Sequence, residues 1–141
     1  MTIISGAGAT TLAAIGALHV AWGAGTPWPM ATRRELADAV IGNEDDMPPP
    51  AACYAVGAGL LASAALVIGV GGGSTFPQAA RWTLVAGLAT RAAAGGEVFL
   101  VAANGPDASE RFRHLDTMVY RPLCLALAGA AATSALTSRR R

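Results

Sequence analysis

The chain has 141 residues, 53% of them hydrophobic and only 13% charged, with a formal net charge of +1. A water-soluble domain carries about 25% charged residues, and a nucleic-acid binder shows a basic face or stripe; the sequence fits neither class. It is long enough for one domain, and its composition places that domain, residues 1–141, in a bilayer.

The first apolar segment runs from Ile3 to Gly25. Secretory signals open on a basic stretch and have a shorter apolar core. No Lys or Arg precedes Arg33, so the segment is expected to stay as a membrane helix. Ala9, Ala13, Ala17, Ala21 and Gly25 place a small residue at every fourth position, the spacing that lets helix backbones approach in lipid. A polar loop follows, with Arg33, Arg34, Glu35, Asp38, Glu44, Asp45 and Asp46.

The second segment, Ala51 to Val70, repeats the small-residue spacing at Ala55, Gly59 and Ser63. The stretch GVGGGS, residues 69–74, reads as a turn, and Arg81 is placed in the short loop after it. The third segment, Trp82 to about Ala103, holds Arg91 and Glu97 well inside. Thr83, Gly87, Thr90, Ala94, Glu97, Val101 and Asn104 form a heptad-spaced stripe of mostly small and polar residues, expected to face the helix interface with Arg91 at its border. The fourth segment, Val119 to Thr137, again carries small residues at Ala126, Ala130 and Ser134.

Each segment approaches the roughly 20 residues that cross a hydrocarbon core about 30 Å thick. The expected fold is all-α, an integral membrane antiparallel four-helix bundle. Four crossings put both termini on one side, where Arg139, Arg140 and Arg141 favour the cytoplasm over the nearly equal set of arginines opposite.

The polar residues converge on the other side. His19 and Glu97 each lie about 9 Å below that edge at 1.5 Å rise per residue, and Trp22, Trp28, Arg113, His114, Asp116 and Tyr120 arrive at it from the helix ends and loops. Ionisable groups inside a membrane are costly and mark functional sites. Glu97, His19 and Asp116 are the candidates for proton transfer, and Trp22, Trp28, Arg91, Arg113, His114 and Tyr120 for contact with a substrate. Plainer roles stand beside these. Glu97 can pair with Arg91 or a rim arginine, and His19 can bond a backbone carbonyl. The aromatics can anchor the interface, and Arg111 and Arg113 can meet lipid phosphates. Asp116 can cap the fourth helix, with Pro122 in its first turn.

No metal or cofactor is expected. Two histidines without a carboxylate cluster make a poor zinc site, and a haem held by His19 and His114 is disfavoured because His114 lies in a loop. Cys53 and Cys124 form no CxxC motif. Both fall near the same edge, where a disulfide would form if that edge faces an oxidising compartment.

H-V-A-W-G-A-G-T-P-W-P, residues 19–29, and F-R-H-L-D-T-M-V-Y-R-P-L-C-L, residues 112–125, resemble a family of small bacterial integral membrane proteins catalogued as a domain of unknown function. The arginine of T-R-A-A-A-G-G-E resembles the family's arginine near the end of its third helix. The resemblance spans essentially the whole chain. It puts His19, Trp22, Arg91, Asp116, Tyr120, Pro122 and Cys124 on motif positions, whereas Glu97 and Arg121 depart from the pattern. It implies a fold and an address in the bacterial inner membrane, without a reaction. Two functions follow from the residues. The preferred one is an intramembrane acid–base enzyme isomerising or cyclising a lipophilic molecule. The other is a non-catalytic accessory subunit, lipid-binding scaffold or small carrier, working with a membrane partner or a second copy of itself. An open apolar pocket reaching Glu97 or His19 favours the first, and mutually satisfied polar groups the second.

Overall fold

The structure, a computed structural model, describes residues 2–45, 47–98 and 108–139, which hold helices and no strand. Helix α1, Ile3–Gly23, opens on a reciprocal cap in which the Thr2 side chain accepts from the Ser5 backbone and the Ser5 side chain from the Thr2 backbone. The short α2, Arg33–Val40, starts at Thr32, whose hydroxyl accepts from Glu35 N at 3.2 Å. Helix α3, Pro50–Ile68, begins on proline, where the missing N–H costs nothing, and ends on Gly69 at φ 109°. Helix α4 spans Thr75–Ala94. A short α5, Glu110–Leu115, runs through a π-helical turn, Asp116–Tyr120, into α6, Arg121–Ser138.

Among the described residues, three helical runs are long and apolar enough to cross a membrane: Ile3–Gly23, Pro50–Ile68 and Glu110–Ser138. Helix α4, with Arg81 and Arg91 in its length, is not among them.

Helix α1 lies antiparallel on α3, with Gly23 against the Tyr54 ring, Val20 against Gly57, and Gly16 against Leu60 and Leu61. Helix α4 lies antiparallel on α6, where Gln78 Nε2 donates to Ala135 O at 2.6 Å and Arg121 Nε to Ala92 O at 2.7 Å. The two pairs meet where α1 crosses α6. A side-chain carbon built on Gly8 would fall 2.3 Å from Ala130 Cβ, so the helices touch there only because residue 8 has none. Ala9, Leu12, Ala64, Val67, Leu127 and Ala131 form the core between them. A second cluster, Trp22, Leu36 and Cys53, holds α2 over the ends of α1 and α3.

Several expected features move. The third helix begins at Thr75 instead of Trp82 and stops at Ala94, because Gly95 takes φ 80° and Gly96 follows it. Its stripe does not face inward: Thr83, Gly87, Thr90 and Ala94 are exposed, and Val101 and Asn104 lie outside the described residues. Arg81 is not in a loop. It is fully buried in α4 and donates from Nε to Leu66 O (2.8 Å), from Nη2 to Val70 O (2.8 Å) and from Nη1 to Gly72 O (2.7 Å). It thereby closes the C-terminal end of α3, where a cation also complements the helix dipole. The final run starts at Glu110 instead of Val119, capped by Ser109, so Asp116 lies within a helix and does not cap one. Of the small-residue rows, Ala9, Ala130 and Ser134 are buried, whereas Ala17, Ala55 and Gly59 face out; Gly57 and Ala64 take over the contact role in α3.

Candidate functional site

Two separate groups of polar residues occupy the end of the molecule where α1 and α4 finish. The first is built around the break after α4. Arg91 Nη2 donates to Asp116 Oδ1 at 2.5 Å, and Asp116 Oδ2 accepts the Gly96 backbone N–H at 2.9 Å. Arg121 donates to the carbonyls of Ala92 (2.7 Å) and Ala93 (2.8 Å). The last turn of α4 thus has its free carbonyls satisfied by Arg121, and the next turn has a free N–H satisfied by Asp116. Gly96 is fixed by this packing: a side-chain carbon there would lie 2.5 Å from Phe112 Cζ and 2.7 Å from Arg91 Nη2.

The π turn precedes Pro122, which has no N–H and whose ring crowds the preceding turn of a regular helix. A wider turn at that point relieves the crowding. Within this turn, Asp116 meets α4 while the Tyr120 hydroxyl donates to Ala39 O of α2 at 2.9 Å. Asp116 is 6% exposed, and both its oxygens are engaged. Its carboxylate is a strut between two segments.

Glu97 differs from expectation. It lies past the end of α4 and pairs with Arg113 at 3.2 Å, each side chain nearly half exposed at 45% and 48%. That is a half-exposed pair, and the contact matches one of those read for Glu97, a partner for a rim arginine. His114 is exposed on α5. Arg111, also exposed, approaches Asp38 at 3.8 Å.

The second group surrounds His19. Its Nδ1 lies 2.9 Å from Ile15 O one turn back, and its ring centroid lies 4.7 Å from that of Trp22 at an interplanar angle of 51°. Trp22 is buried and its Nε1 donates to Trp28 O at 2.7 Å. The Trp28 ring itself stands exposed, and the Trp28–Pro29 peptide is cis. Beside His19 and Trp22 opens a cleft of about 190 Å³, walled also by Ile41, Met47, Cys53 and Val56. Cys53 and Cys124 are free thiols, so the disulfide weighed from their common edge is not formed.

The structure therefore joins Arg91 to Asp116, His19 to Trp22, Trp22 to Trp28, Glu97 to Arg113 and Tyr120 to α2. It does not gather His19, Glu97 and Asp116 at one point: each side chain is bonded to a different neighbour. Among the described residues no three His, Cys, Asp or Glu side chains come together as a metal site would need.

A family described as "Protein of unknown function (DUF3995)" matches residues 12–131. The chain belongs to that family. The match covers both stretches that carried the resemblance, around His19 and around Asp116, and so bears it out. Comparison with curated proteins and with solved structures finds no match. DUF3995 thus fixes kinship and leaves the chemistry to the geometry.

Sequence reasoning missed Arg81, Arg121, Met47 and Val56. The Gly95–Gly96 pair after Ala94 was the available signal for the helix end. With the end placed there, Arg91 falls in the last turn of α4 and Glu97 drops out of it. No comparable signal marked Val56, which reaches the cleft through the packing of α3 on α1, or Met47, which packs on the Trp22, Leu36 and Cys53 cluster from the segment before α3.

Proposed function

We propose that this DUF3995 chain is a multi-pass integral membrane protein in which α1, α3, α4 and the α5–α6 run cross the bilayer as an antiparallel four-helix bundle. In this reading it works without catalysis, as a lipid-embedded accessory or lipophile-binding scaffold in the bacterial cytoplasmic membrane, with both termini cytoplasmic. The observation that carries the non-catalytic reading is the full engagement of Asp116 between Arg91 and Gly96 N. With one oxygen on Arg91 and the other on the Gly96 N–H, the carboxylate is occupied as a strut and turns no free oxygen toward a substrate. Glu97, the other acid of the enzyme reading, sits in a half-exposed pair with Arg113.

The crossing of α4 draws support from its antiparallel packing on α6 and from the burial of Arg81 against backbone carbonyls, which hides its charge from lipid. The outward stripe of Thr83 and Gly87 borders a groove of about 650 Å³ shared with Ser63 and Leu66 of α3. Small residues facing out in this way suit a further helix, from a partner or a second copy.

The test is to purify wild type, Glu97→Gln, Asp116→Asn and His19→Ala in mild detergent and identify what each retains by mass spectrometry. Any lipophile should be chemically the same in all four. A precursor accumulating in Glu97→Gln or Asp116→Asn, absent from wild type, would show turnover and overturn the non-catalytic reading.

A further inference from the structure

We propose that the cleft beside His19 binds the ring of a lipophilic phenol, hydroquinones included, with the ring hydroxyl donating to His19 Nε2. The polar atoms around the cleft set this preference. Ile15 O can only accept, so in the neutral imidazole Nδ1 of His19 carries the proton and Nε2 keeps its lone pair. The Trp22 N–H is taken by Trp28 O at 2.7 Å, and the Cys53 thiol faces Pro48 O at 3.9 Å. The N–H and S–H donors of these three cleft residues therefore all bond to the protein's own backbone. What His19 offers a ligand is an acceptor in an apolar surround. A hydroxyl satisfies it; a ketone, a quinone or an ether brings only acceptors and leaves Nε2 desolvated and unpaired.

Size and wall chemistry select a ring. The cleft measures about 190 Å³, and a dry apolar cavity of about 150 Å³ takes benzene. One ring and its hydroxyl fit, and a tail must leave through the open side. The walls combine the Trp22 indole and His19 imidazole with the Met47 thioether, surfaces that stack on or edge against aromatic rings.

This site goes beyond the scaffold function proposed above and rests on it only in so far as the bilayer supplies the ligand. The test uses the full chain in nonionic detergent at pH 8. 4-Hexylphenol and its methyl ether, 4-hexylanisole, are each titrated by calorimetry against matched empty micelles. The phenol should saturate at one molecule per chain and bind roughly tenfold tighter than the ether, the size of one net hydrogen bond in an apolar site. His19→Phe should keep the ring contacts and bind the two equally, and Val56→Trp should fill the cleft and bind neither. Equal wild-type affinity for the pair, a phenol preference that survives in His19→Phe, or heat that never saturates would each overturn the site. The wild-type and His19→Phe comparison stands even if Val56→Trp fails to fold. Loss of the chain from the membrane fraction would sink the membrane reading and leave this titration intact.

Discussion

Arg91 of α4 and Asp116 of the π turn form an ion pair across 25 residues of chain, and the same carboxylate caps the backbone at Gly96. This contact joins two of the segments on which the resemblance rests. The arginine of T-R-A-A-A-G-G-E and the aspartate of F-R-H-L-D meet in space. Together they hold the chain's turn at the end of α4.

Asp116→Asn should destabilise the protein by about 2–3 kcal/mol. Removing one partner of a buried pair costs roughly 3–5 kcal/mol, and the Arg91 side chain, 26% exposed, recovers part of that from solvent. The double variant Arg91→Met/Asp116→Leu should lose less than the single one, since no charge is stranded and only the Gly96 N–H is left short, at about 1–2 kcal/mol. Thermal unfolding in detergent checks both. A double variant less stable than Asp116→Asn would mean the pair does more than brace the turn.

Gly8→Ala should cost about 1–3 kcal/mol, because its new carbon overlaps Ala130 and forces α1 from α6. Ala130→Gly in the same chain should restore most of the loss, although glycine in a helix itself costs about 1 kcal/mol. The same unfolding measurement reads the rescue. Additive losses would show that the helices do not touch there.

Arg81→Met should cost on the order of 3 kcal/mol or prevent accumulation of the folded chain. It removes the guanidinium donors to the carbonyls of Val70 and Gly72 and one of the donors to Leu66 O at the C-terminal end of α3, and leaves the space of a fully buried side chain poorly filled. Arg81→Lys should recover little, since a point charge cannot serve three separated acceptors. Limited proteolysis of membranes carrying each variant would detect the opened α3–α4 turn.

Glu97→Gln should change stability by less than about 1 kcal/mol, the usual size of an exposed ion pair. Its side chain and that of Arg113 are both nearly half exposed. An unfolding midpoint shifted as far as that of Asp116→Asn would contradict the placement of Glu97 outside the packed interior.

The helices were legible where apolar length alone decides them. Ile3–Gly23 and Pro50–Ile68 lie within about two residues of the segments read from composition. Helix α6, Arg121–Ser138, likewise lies within about two residues of the fourth segment, although the helical run already begins at Glu110. The third was misplaced because its C-terminal end is set by Gly95, a single residue that hydropathy averages away. Convergence of His19, Trp22, Arg91, Asp116 and Tyr120 on one end followed from counting residues along the helices. Their division into two groups did not. It depends on which helix packs on which, and the rows of alanine and glycine are too alike on every face to say.

The most direct test of the membrane bundle is sided labelling. In a Cys53→Ala/Cys124→Ala background, single cysteines are placed at Thr2, Asn43 and Gly72, and sealed membranes are treated with an impermeant maleimide before and after permeabilisation. Antiparallel crossing by α1 and α3 predicts that positions 2 and 72 label from one side and position 43 from the other. Labelling of all three from the same side, or release of the chain by alkaline carbonate, would contradict it.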